Sequence, residues 1–150
     1  CGVQAWLGDG ESAAVDLYGP GPEGVVMAPA YSVPRLLTRN GLSLQDMDYY
    51  ESNEDFAGQV LCTLKAWEDE TYCRTKLGLD SAVGRIDRSK LNVNGGSVGM
   101  GHPFAATGAR IVASAAKQLA RHRVETGKSG RTLISACAAG GLGVVALLEG

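Results

Sequence analysis

Strand-like runs alternate with runs of helical periodicity along this chain, and no other feature restricts the fold as much. The strand-like segments are residues 3–7, 47–51, 91–94, 132–137 and 143–149. The intervening segments read as helices. In the first, Ser32 suits an N-cap, Pro34 the first turn and Gly41 the C-terminal cap, which predicts a helix of about eight residues. The second follows Asn53, with Phe56, Ala57, Val60, Leu61, Leu64 and Trp67 on one face and Glu54 and Asp55 at the positive end of its dipole. The third runs from near Pro103 to about Thr126, with Gly127 as its cap. Residues 68–90 read as a polar surface excursion. This order predicts an α/β fold: a mixed sheet covered by helices, with the last two strands joined as an antiparallel hairpin. No linker interrupts it, so residues 1–150 are expected to form one domain.

Composition excludes several classes of function. With 14 basic and 16 acidic residues the formal net charge is −2, and no five like charges follow one another. A nucleic-acid partner or an electrostatic membrane partner is therefore not expected. No apolar stretch approaches the ~18 residues of a membrane span. The 21 glycines, beside 6% aromatic residues, predict tight backbone passages around a small-residue core. Cys1, Cys62, Cys73 and Cys137 form no C-x-x-C pair and only His102 and His122 could join them, so no metal site is expected. Free thiols in a reducing cytoplasm are the expectation. Because the chain opens on Cys1 rather than methionine, it reads as a piece of a longer protein. A mature lipoprotein would instead continue into a polar linker.

Several motifs compete for a chemical role. Gly95-Gly96-Ser97-Val98-Gly99 fits the G-x-S-x-G nucleophile elbow, but the helix that should follow at once begins only near Pro103, and no later loop offers a histidine. Gly141-Leu142-Gly143-Val144-Val145-Ala146 fits a dinucleotide fingerprint in letters only, since a strand follows where a helix is required. Gly101-His102-Pro103 places a histidine at a helix start. There a neutral imidazole is favoured and can accept a thiol proton or donate to a carbonyl oxygen; simple capping is the alternative. Cys137 ends a strand ahead of Ala138-Ala139-Gly140-Gly141, small residues that let a ligand approach backbone amides; an inert buried thiol is the alternative. Asn53 alone reads as a helix cap.

Taken together, Asn53-Glu54-Asp55-Phe56-Ala57, then Gly95-Gly96 with the segment Gly101-His102-Pro103-Phe104-Ala105-Ala106-Thr107-Gly108-Ala109-Arg110, then Cys137-Ala138-Ala139-Gly140-Gly141 resemble the C-terminal domain of thiolases. These are acetyl-CoA acyltransferases and acetyltransferases. The resemblance covers nearly the whole chain, from Ala28-Pro29-Ala30 and Gly41-Leu42-Ser43 onward. It implies a thiolase-like C-terminal half with a five-stranded mixed sheet, and ping-pong Claisen chemistry on 3-ketoacyl-CoA or acetyl-CoA. By the same resemblance His102 activates the nucleophile and serves an oxyanion hole, and Asn53 holds the water that completes that hole. Cys137 is the acid/base, Phe56 lines the pantetheine and acyl channel, and a backbone amide near Ala139 serves a second oxyanion hole. The family's nucleophilic cysteine lies in an N-terminal half that this chain does not contain, so the chain alone is expected to be inactive. Coenzyme A is then a substrate and no cofactor is needed. The implied partners are acyl-CoA and CoA, the N-terminal half, and further copies in a homodimer or homotetramer. A non-catalytic thiolase-like CoA-binding or scaffolding module is the alternative. Asp55 departs from the family, which has a small residue there. Facing solvent at a helix start is the simplest expectation for it, and pointing into the acyl channel the other.

Overall fold

The computed structural model describes residues 5–21 and 23–150. The expected strand over residues 3–7 begins outside them. Four strands form one mixed sheet: β1 (Trp6–Ala14), β2 (Tyr49–Ser52), β3 (Arg131–Ala138) and β4 (Leu142–Glu149), in the order β1-β4-β3-β2. β4 is antiparallel to both neighbours, and β2 runs parallel to β3. The expected α/β class with a mixed sheet is what the chain adopts.

Among the described residues there are four strands rather than the five expected. The segment expected over residues 91–94 makes a single parallel bridge, Leu91 to Tyr50. Asn92 then turns out of the strand at φ 47°, a left-handed conformation that ends pairing. Its side chain takes over: Oδ1 accepts the Ser52 N–H at 2.8 Å and Nδ2 donates to the Ser52 carbonyl at 3.0 Å. One asparagine thus satisfies both backbone groups of Ser52 at the sheet edge.

Helices cover both faces. Val33, Leu36 and Leu37 of α1 (Ala28–Arg39) and Val60, Leu64 and Trp67 of α2 (Ala57–Glu68) pack with Tyr50, Leu133, Val145 and Leu147. Ile111, Ala115 and Leu119 of α5 (Ala105–Thr126) pack on the other face against Ile134 and Leu148. Neighbouring residues of β3 and β4 therefore serve opposite cores, and both strands carry apolar residues on both faces. Two short helices, α3 (Glu70–Thr75) and α4 (Ser97–Met100), lie in the connections. None of the described helices is long and apolar enough to cross a membrane.

Helix α1 starts a turn earlier than Ser32. Pro29 occupies its first turn, and Ser32 is buried inside it, bonding back to the Ala28 carbonyl at 3.3 Å. Pro34 sits mid-helix, where its missing N–H orphans the Ala30 carbonyl one turn back. The Trp67 indole N–H donates to that carbonyl at 3.3 Å, so α2 repairs the break in α1. Gly41 ends α1 as expected: at φ 64° its N–H bonds the Thr38 carbonyl while Leu42 N–H bonds that of Leu37. Helix α5 begins at Ala105, after Phe104 at φ 45°, so Pro103 precedes the helix. The excursion over 68–90 is only partly superficial, since Cys73 and Ile86 are buried.

Candidate active site

Three separate segments converge beyond the C-terminal ends of the parallel strands β2 and β3. Asn53 follows β2 and continues its pairing, with its N–H on the Ser135 carbonyl at 2.7 Å. Cys137 is the penultimate residue of β3. His102 lies in the loop between α4 and α5, after Gly101, whose φ of 94° gives the turn a conformation that other residues resist. Asn53 and Cys137 are 2% and 7% exposed.

Asp55 joins all three. Its Oδ1 lies 2.9 Å from His102 Nε2 and accepts the Asn53 amide N–H at 3.0 Å. Its Oδ2 accepts the Cys137 thiol at 2.9 Å. Asp55 thus points into the site, and the expectation that it faces solvent is overturned. The physical reason is that three donors surround one short acceptor side chain, which outweighs a dipole contact of ~0.3–1 kcal/mol at an exposed helix end. A carboxylate only accepts, so His102 Nε2 carries the proton of that contact and Nδ1 faces the Thr107 hydroxyl at 2.7 Å.

A second layer fixes the donors. Buried Ser97 donates to Asn53 Oδ1 at 2.9 Å, and Arg110 Nη2 donates to Ser97 Oγ at 2.9 Å. Ser97 is therefore a buried brace with no histidine on its hydroxyl, and the nucleophile-elbow reading fails. No motif in the sequence gives Thr107 or Arg110 a role of its own. Their available signal was the spacing from His102 to the first turns of α5, which puts both near the loop. Glu54 braces α4 by accepting the Val98 N–H at 3.0 Å. A Cβ on Gly96 would come within 2.2 Å of Glu54 Oε2, so this contact requires glycine there.

Burial pushes the Cys137 thiol up to about 12, reinforced by the hydrogen bond to Asp55 and by its charge. Cys137 is thus a protonated thiol at neutral pH, a proton donor rather than a resting nucleophile. Phe56, at the N-cap of α2, is 67% exposed, and Ala139 is exposed in the β3–β4 turn. Neither takes part in the hydrogen-bonded cluster. Among the described residues no group of three or more His, Cys, Asp or Glu is arranged to hold a metal ion.

The sequence model described as "Thiolase, C-terminal domain" matches residues 9–150. The 3-ketoacyl-CoA thiolase of Shewanella amazonensis is 42% identical over 137 residues, which are 91% of this chain and 29% of that protein. The structure of acetyl-CoA acetyltransferase from Syntrophomonas wolfei aligns over 97% of this chain and 32% of its own, with a TM-score of 0.71 and 29% identity. Acat5 thiolase from Ascaris suum, solved in complex with coenzyme A, aligns over 97% and 30%, with a TM-score of 0.70 and 28% identity. The chain thus spans 29% of the length of its matched relative from Shewanella. With the family model covering nearly all of it, this chain belongs to the thiolase family, as a thiolase C-terminal domain.

Proposed function

We propose that residues 1–150 act as the C-terminal catalytic domain of an acyltransferase that moves acyl groups between CoA thioesters, by thiolysis of 3-ketoacyl-CoA or condensation of acetyl-CoA. The observation that carries this reading is the convergence of Asn53, His102 and Cys137 from three distant segments onto one point. Claisen chemistry needs a proton donor and acceptor at carbon and hydrogen-bond donors for an enolate oxygen. Cys137, held as a thiol, gives its proton to the acetyl carbon in cleavage and recovers one from the CoA sulfur. Once Asp55 leaves Nε2 and the ring holds its proton on Nδ1 toward Thr107, His102 Nε2 accepts the proton of a nucleophilic thiol from the N-terminal half and then, with a water on Asn53, donates it toward the acyl oxygen.

Phe56, exposed at the start of α2, is assigned to the pantetheine and acyl channel, and a backbone amide near Ala139, exposed in the β3–β4 turn, to a second oxyanion hole. Coenzyme A is a substrate on this reading, with no cofactor, and the enzyme works as a cytoplasmic homodimer or homotetramer. The competing reading, a non-catalytic thiolase-like module, draws on the fact that both ring nitrogens of His102 are already engaged.

Two experiments test the proposal. The 150-residue chain should not cleave acetoacetyl-CoA, because it lacks the acyl-accepting half. Cleavage by it above a Cys137→Ala control refutes the division of labour. In a full-length protein carrying this domain, Cys137→Ala should abolish thiolysis; turnover retained in that variant refutes the role of Cys137, whereas no turnover in the unsubstituted protein favours the non-catalytic module.

A further inference from the structure

Asn53, His102 and Cys137 each direct a donor at the same carboxylate: an amide N–H, an imidazole N–H and a thiol S–H. Two of these donors are held from behind. Ser97 fixes the Asn53 amide and is itself fixed by Arg110, while Thr107 engages the far nitrogen of His102. The Asp55 side chain has no such brace among the described residues; its hydrogen bonds are the three it receives. Rigid donors from three segments around one negative oxygen pair are the arrangement that binds an oxyanion. Here the negative charge comes from the same chain.

We propose that Asn53, His102 and Cys137 form an anion site whose resident occupant is Asp55, and that an acyl oxygen gains these donors only by displacing that carboxylate. The anion site stands on the geometry alone, whereas the acyl oxygen rests on the function proposed above. A carbonyl oxygen or enolate approaching the site meets both a like charge and donors already spent on Asp55. The carboxylate must first rotate away, for which its side chain, 15% exposed, has an open edge. Asp55 is on this account a specificity-determining residue. It selects for acyl groups able to move it aside or to offer it a donor.

The test uses the 150-residue chain and needs no turnover, so it stands apart from the acyltransferase reading, which turnover of the full-length protein with and without Cys137→Ala decides. Alkylation of Cys137 by iodoacetamide is followed at pH 8 by peptide mass spectrometry, with exposed Cys62 as the internal control. Asp55→Gly should speed alkylation of Cys137 at least fivefold over wild type. Sodium acetate, at constant ionic strength, should then slow it again in a saturable manner by refilling the site, leaving Cys62 unchanged. Wild type should show no acetate protection. Asp55→Asn, which keeps the side chain's shape but not its charge, should also speed alkylation at least fivefold and serves if the glycine variant fails to fold. The proposal is overturned if acetate leaves the Asp55→Gly rate unchanged, if acetate protects wild type equally, or if Asp55→Asn reacts at the wild-type rate.

Discussion

Glu51 lies in the middle of β2, 2% exposed, with its Oε1 buried and without a hydrogen-bond partner among the described residues. Burial pushes its carboxyl up to about 7; Arg110 opposes that rise and Glu54 adds to it. The folded chain therefore holds a proton that the unfolded chain releases near its ordinary value of 4.5. Stability is fullest below that value, declines as pH rises toward about 7, and stays low above it. At ~1.4 kcal/mol per pH unit, this window is worth ~3 kcal/mol. Domains of this size are stable by only about 5–15 kcal/mol, so the loss is large. Glu51→Gln removes the titration and keeps the shape. Urea unfolding of both proteins at pH 4.5, 6 and 8 should give nearly equal stabilities at the lowest pH. The variant should be ahead by ~2–3 kcal/mol at pH 8, which is ~4–12 °C in Tm at ~2–4 °C per kcal/mol. Parallel pH profiles, or a variant weaker at pH 8, would refute the reasoning and show that Arg110 already neutralises Glu51.

Gly143 lies where α1 crosses β4, and a Cβ there would come 2.9 Å from both Ala28 Cβ and Pro29 Cδ. Gly143→Ala should cost ~1–3 kcal/mol in urea unfolding, because neither the helix start nor the strand can yield freely. Trp67→Phe strips the Ala30 carbonyl of the indole N–H that replaces the one Pro34 lacks, a loss of ~1–3 kcal/mol for an orphaned buried acceptor. A loss below ~0.5 kcal/mol would mean that water serves that carbonyl instead.

The elements legible in the sequence are those whose cause is local. β3 and β4 are apolar on both faces and joined through Gly140 and Gly141, so periodicity and turn chemistry agree. The end of α5 at Thr126 follows from Gly127, which caps it at φ 70°. Helix α1 started early because two prolines compete for the first-turn role, and the tertiary bond from Trp67 is what makes Pro34 tolerable inside a helix. Three short motifs single out Asn53, His102 and Cys137, and the fold brings these three residues together around Asp55. The direction of Asp55 was not, because it is decided by His102 and Cys137, which lie 47 and 82 residues away along the chain. Glycine at position 96 likewise reads as a loop residue until Glu54 is seen to fill the space beside it.

Whether the His102 imidazole, in the loop ahead of α5, does chemistry rather than capping is decided by the kcat for acetoacetyl-CoA thiolysis of a full-length protein carrying His102→Ala. Loss of one oxyanion donor typically lowers kcat by ~10²–10³, and loss of nucleophile activation adds to that. A fall of at least a hundredfold is expected, with the fold intact by circular dichroism. Retention of more than about a tenth of wild-type kcat, against the ~10² expected for a single lost donor, would contradict a chemical role for His102.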